Sequence, residues 1–316
     1  MLFLLNNPKK KNMKKCFAIV WLLMMALFHQ VKAQQTTLYS QYMFNGLTIN
    51  PAYAGSQGGV NTSLIYRQHW TGVGGSPNTT TLAIDSPLGN KRMSIGGLFS
   101  QDKIGATTTQ NMNVVASYRI NLFSGTLSFG LQGGFNSVAV NFADLTSFLP
   151  DPALPDGTVR RNSPNFGAGL FYNTDHLYLG FSAPRLISSD LGDPNSTLVV
   201  EEKRHYFLNA GYAIELSHLL MLKPNILFRL TEGAPLQADI NLNALIMEWI
   251  WFGVSYRTQE SFALLTEIQL SKVFRIGYSY DMITNSASNI TNGSHEFVIN
   301  VFFENKKKKI KTPRYF

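Results

Sequence analysis

From about Val60 onward, apolar and polar residues alternate with a period of two, the signature of β-strands. Leu127, Phe129, Leu131, Gly133 and Phe135 alternate with Ser128, Gly130, Gln132, Gly134 and Asn136. In Leu236–Ile246 the apolar set is Leu236, Ala238, Ile240, Leu242, Ala244 and Ile246, and the opposite set holds Gln237, Asp239, Asn241 and Asn243. No comparable stretch favours a helix. The alternation predicts strands near 60–70, 78–86, 91–102, 107–121, 124–139, 163–174, 175–186, 203–216, 218–230, 235–246, 248–258, 260–271, 272–282 and 293–303.

Length decides between a sandwich and a barrel. Strands of about ten residues cross a bilayer at a tilt, whereas sandwich strands are typically about five or six. The polar faces are rich in Gly, Asn and Ser rather than Lys and Glu, which suits an enclosed interior. The expected fold is all-β: a transmembrane antiparallel β-barrel of about fourteen strands, outer-membrane type. Even-numbered connections are short, as near Leu122–Ser124 and Met247, while Asn141–Asn162, Ile187–Glu202 and Ile283–Asn292 are long. Such barrels have short periplasmic turns and longer outer loops, so both termini are expected in the periplasm.

The N-terminus reads differently. Lys14 and Lys15 precede the apolar run Cys16–Phe28, and Val31-Lys32-Ala33 offers a small-residue cut. That layout predicts a signal peptide over 1–33. The remaining divisions are a periplasmic segment at 34–59, the barrel at 60–303 and a basic periplasmic tail at 304–316. The only cysteine, Cys16, would leave with the signal, so no disulfide framework is expected.

Composition agrees. Charged residues make up 15% of the 316, against about 25% in soluble chains, yet the 13-residue run Cys16–Phe28 is short of the roughly 20 that a spanning helix needs. The net charge of +8 belongs to the ends. Six basic residues precede the expected cut and six more are Lys306, Lys307, Lys308, Lys309, Lys311 and Arg314; between them 15 basic residues face 19 acids. Nucleic acid is therefore not an expected partner. The basic tail is read as a contact for an acidic periplasmic protein or anionic headgroups, against a solvated end.

Nine charged residues share parity with the polar faces: Arg67, Arg119, Lys223, Arg229, Asp239, Arg257, Glu267, Arg275 and Asp281. They are expected to line the lumen. Both signs occur, which favours a salt-bridged interior over a selective ion path. Tyr39, Tyr42, Trp70, Trp249, Trp251 and Tyr256 lie near expected strand ends and fit interfacial belts, although Trp251 shares parity with Arg257 and equally fits the interior. Gly58-Gly59, Gly96-Gly97 and Gly133-Gly134 read as points of close approach or bending. Catalysis is not expected: His295 and Glu296 are adjacent on one strand and point to opposite faces. The histidines show no metal-ligand spacing, and no cofactor is implied.

The segment Leu38–Ser56, LYSQYMFNGLTINPAYAGS, resembles the N-terminal signature of the PorP/SprF family, outer-membrane components of the type IX secretion system in Bacteroidota. Tyr66-Arg67-Gln68-His69-Trp70-Thr71-Gly72, Asp102-Lys103-Ile104-Gly105, Gly253-Val254-Ser255-Tyr256-Arg257, Gly277-Tyr278-Ser279-Tyr280-Asp281 and Ser294-His295-Glu296 fit as well. One departure is His69, which separates Gln68 from Trp70. The resemblance implies secretion or surface attachment of cargo with a C-terminal sorting domain, and gliding motility in some relatives. Implied partners are other type IX components, periplasmic or peptidoglycan-associated proteins, the cargo and outer-membrane lipid. A general diffusion pore or uptake channel is the alternative, and an outer-membrane hydrolase a third.

Overall fold

The computed structural model describes residues 39–89, 92–144, 157–187 and 203–304. Its strands are β1 (Gly59–Gln68), β2 (Asn78–Pro87), β3 (Met93–Ile104), β4 (Thr107–Leu122), β5 (Gly125–Asn141), β6 (Thr158–Asn173), β7 (Leu177–Arg185), β8 (His205–Tyr212), β9 (Ile214–Ser217), β10 (Leu220–Thr231), β11 (Gln237–Ile246), β12 (Ile250–Arg257), β13 (Ser261–Gln269), β14 (Phe274–Ile283) and β15 (Ser294–Glu304). β8 and β9 both pair with β10 and form one stave interrupted at Ala213. Fourteen staves result, each antiparallel to its neighbours. Pairing of β1 with β15 and of β10 with β11 closes the ring, so no open edge of amides and carbonyls faces lipid.

The alternation is resolved as expected. Leu64, Leu82, Val114, Leu131, Leu242, Val254 and Leu264 are exposed on the outer wall, while Ser63, Thr81, Asn113, Asn241, Asn243 and Ser255 are buried inside. The largest boundary difference is at β6, which begins at Thr158 rather than near 163, because Thr158–Asn162 continues the ladder against β5 up to Asn141. The run Arg160-Arg161-Asn162 has no apolar alternation to mark it as strand.

Residues 39–58 do not form a periplasmic segment; they lie inside the ring, which corrects the expectation for 34–59 over that range. They fold as three short 3-10 turns, Tyr42–Phe44, Gly46–Thr48 and Pro51–Tyr53, all but Thr48 fully buried. The reason is apolar cover. Tyr42, Met43, Phe44 and Ile49 pack on Phe207, Met221, Leu227, Trp251 and Leu265. Leu47, Ala52 and Tyr53 pack on Val115, Phe171 and Tyr178 across the lumen. Each fully buried large side chain contributes about 1.5–3 kcal/mol relative to exposure, so a free segment would forfeit several such terms. The interior is thus part apolar rather than uniformly hydrated. Tyr39, Tyr42 and Trp251 belong to it, not to an interfacial belt, whereas Trp70, Trp249 and Tyr256 are exposed.

Candidate functional site

The plug formed by residues 39–58 is held by polar clamps at its two ends. At the first, Glu296 accepts the backbone amides of Ser40 at 2.8 Å and Gln41 at 2.9 Å. The Ser40 hydroxyl donates to Asp281 at 2.6 Å. Arg67 binds both carboxylates, at 2.6 Å to Asp281 and 3.0 Å to Glu296. These three charges come from β1, β14 and β15, the seam where the ring closes. At the second clamp, Arg119 and Ser117 both donate to the Ala54 carbonyl at 2.9 Å, and Asp85 accepts the Gly55 amide at 2.6 Å. Between the clamps, Asn50 donates to the Leu170 carbonyl at 2.9 Å and Ser182 to the Ile49 carbonyl at 2.6 Å.

Glycine on the inner wall makes this docking possible. A Cβ at Gly130 would sit 2.1 Å from the Ala52 nitrogen, and one at Gly169 would sit 2.1 Å from Asn50 Oδ1. At Gly130 the clash is with the plug's backbone, so no side chain fits there with the plug in place, whereas at Gly169 the Asn50 side chain would have to shift. The glycine-rich polar faces of the sequence are, at these positions, the imprint of the plug.

The nine charged residues assigned to the lumen all lie on the inner wall, in separate groups. Arg67 and Asp281 belong to the first clamp and Arg119 to the second. Arg257 pairs with Asp239 at 3.0 Å and with Glu260 at 3.0 Å. Arg229 donates to Gln237, which donates to Glu260 at 2.6 Å. Arg275 pairs with Glu267 at 3.3 Å and donates to Asn300 at 2.9 Å. Lys223, 1% exposed, carries its ammonium 5.6–6.0 Å from the rings of Tyr178, Phe44 and Trp251, within reach of cation–π attraction. Glu296 and Asp85 were missed. Their signal was parity: Asp85 is in phase with Thr79 and Thr81, and Glu296 with Ser294 and Asn300. The tail residues Lys306 to Arg314 lie outside the described residues.

Glu296 and His295 point to opposite faces: Glu296 into the clamp, His295 onto the Tyr278 hydroxyl at 2.8 Å. Among the described residues no group of three His, Cys, Asp or Glu side chains is placed to hold a metal.

The family model described as type IX secretion system membrane protein PorP/SprF matches residues 31–301. The chain belongs to the PorP/SprF family. It is therefore a type IX secretion membrane protein, a non-enzymatic class, and its barrel is of the outer-membrane kind. No curated protein matches the chain. Among solved structures, the Ralstonia pickettii toluene transporter TbuX is similar at 12% identity and TM-score 0.51, with 86% of this chain and 96% of that one covered. A Pseudomonas aeruginosa FadL homologue shows 13% identity and TM-score 0.48, with coverages of 87% and 96%. At such identities the likeness to TbuX concerns the fold alone.

Beyond the strands, at the rim of this PorP/SprF barrel, two loop groups are electrostatically coupled to the interior. Burial, with the Arg67 charge beside it, pushes the His69 imidazole down to about 4. Burial would raise the Glu260 carboxyl, but Arg257, with hydrogen bonds from Arg257 and Gln237, holds it below its ordinary value. The Thr71 amide donates to the Gly293 carbonyl at 2.8 Å, and the Asn292 amide to the Thr71 carbonyl at 2.8 Å. These bonds tie the β1–β2 and β14–β15 connections into one lip.

Proposed function

We propose that this protein is a closed outer-membrane platform of the type IX secretion system, which receives or anchors specific secreted cargo at its long-loop end. The observation that supports this reading over a diffusion pore is the plug, packed on both sides of the lumen and clamped by buried charge at each end. In this reading the short turns face the periplasm and the long connections face outward. The connections 142–157 and 186–204 meet cargo bearing a C-terminal sorting domain. The basic residues Lys306 to Arg314, which follow β15 in the chain, contact periplasmic or peptidoglycan-associated partners in this reading. Tyr39 sits toward the long-loop half, its hydroxyl hydrogen-bonded with Thr81 and the next residue, Ser40, held by Glu296, so only the C-terminal end is assigned to the periplasm.

Two measurements test the proposal. Deleting the gene should abolish surface display of a particular cargo while permeability to small solutes stays unchanged. The purified barrel should be electrically silent in planar bilayers. Normal display of every cargo in the deletion strain, or steady conductance from the intact protein, would refute it.

A further inference from the structure

The outer wall of the barrel carries charge in one place. Among the described strand residues that face outward, Lys103 on β3 and Arg160 on β6 are the only Lys, Arg, Asp or Glu side chains, and both are exposed. Continuous register carries one row from Lys103 through Thr108 and Ala139 to Arg160. Three strand spacings of about 4.8 Å each set the two cations' backbones about 14 Å apart across the wall. Both lie at the long-loop end.

The rows beneath this one are layered. Two residues down each strand, roughly 7 Å, the same register joins Gln101, Gln110, Ser137 and Asn162. Two residues further down it joins Phe99, Met112, Phe135 and Pro164, all exposed. Gln110 donates to Gln101 at 2.8 Å, a bond that leaves Gln101 its own N–H donors and Gln110 its carbonyl. The order along these strands is apolar, then amide, then cationic. The wall around β12 to β14 has no such layers: Tyr256, Phe262 and Met282 carry exposed apolar surface almost to the long-loop strand ends.

We propose that this strip of β3 to β6 binds the phosphorylated sugar headgroup of a membrane glycolipid. Phosphate meets Lys103 as a point charge and Arg160 through a two-pronged guanidinium contact. Sugar hydroxyls both donate and accept, so they match the amide row, and the acyl chains lie on the apolar row below. A phospholipid carries its phosphate directly above its acyl chains and has no layer to set against the amides. An acidic protein would have no use for the apolar row. Binding does not depend on the secretion reading, and its failure would leave that reading intact. Only the choice of the outer leaflet rests on the orientation proposed above.

Native mass spectrometry of the full chain in a neutral detergent, titrated with diphosphoryl lipid A, tests it. The lipid should be retained on the barrel. Lys103→Gln and Arg160→Gln should each weaken retention about fivefold, equivalent to about 1 kcal/mol per cation at an anionic headgroup. The double variant, and the parent with dephosphorylated lipid A, should each lose about 25-fold on the same scale. Lys272→Gln, which removes an exposed cation at the short-turn end, should leave retention unchanged. Circular dichroism of each variant checks the β-fold, which these exposed positions do not support. Equal retention of the dephosphorylated lipid would overturn the proposal. So would unchanged affinity in the folded double variant, or an equal loss in Lys272→Gln. Phosphatidylglycerol binding as tightly as lipid A would also overturn it, by assigning the strip to phospholipid.

Discussion

Arg67 and Glu296 are register partners across the seam where the first and last strands meet, and their side chains pair at 3.0 Å with both groups buried. The same Glu296 carboxylate accepts two backbone amides of the plug. One ion pair therefore joins the seam of the ring to one end of the plug.

Removing one partner from a buried pair leaves the other uncompensated, at a cost of about 3–5 kcal/mol. Glu296→Ala should accordingly loosen the plug end while the fourteen-stave wall persists. Because Cys16 is the only cysteine, Thr48→Cys is a clean reporter. Its labelling by a membrane-impermeant maleimide should be slow in the parent and faster in the Glu296→Ala background. Equal labelling rates would show that the clamp does not hold the plug.

The inner-wall glycines offer a steric version of the same test. Gly130→Val should expel the 3-10 turn at Pro51–Tyr53, since even a Cβ would lie 2.1 Å from Ala52. Gly133→Ala, three positions along the same strand, meets only the Phe166 ring at 3.7 Å and should change stability by less than about 0.5 kcal/mol. Proteolysis of the two folded variants, read by mass spectrometry at residues 39–58, separates them.

Met247 and Glu248 both adopt positive φ, 51° and 63°, in the turn where the Trp249 amide donates to the Ile246 carbonyl at 3.2 Å. Residues with a Cβ lose roughly 1–2 kcal/mol each in that conformation, and Asn-Gly is the pair suited to a turn with two positive φ values. Replacing the dipeptide by Met247→Asn with Glu248→Gly should raise stability by about 1–2 kcal/mol. Urea unfolding from lipid vesicles would register the gain as a higher midpoint.

The rim should respond to acid. His69 is held at about 4 in the fold, below the ordinary value near 6.5, so the unfolded lip binds the proton more readily than the folded one. Stability of the lip is complete above about pH 6.5 and declines as pH falls toward 4. Hydrogen exchange at the Thr71 amide should accelerate over that window, and His69→Gln should flatten the response. An exchange profile independent of pH after correction for intrinsic rates would exclude His69 as the cause.

Period-two alternation and strand length were sufficient for the barrel, because a wall with lipid on one side writes its inside and outside into consecutive residues. Leu242 and Asn243 differ in exposure for that reason alone. The same parity placed Arg67, Lys223 and Arg257 inside. It could not say that Arg67 would meet Glu296 and Asp281, since these contacts span more than two hundred residues of chain.

The plug was hidden for a related reason. Tyr39–Gly58 has neither strand nor helical periodicity, because apolar cover reaches it from every side and no face of it is consistently wet. By itself the sequence determined the wall, its stave number and the inward charges, all of which follow from local alternation. Only the tertiary structure decided that the lumen is filled, that Glu296 and Asp85 grip the filler, and that glycines at 130 and 169 make room for it. Those facts arise where segments distant in the chain meet, and no local pattern records such a meeting.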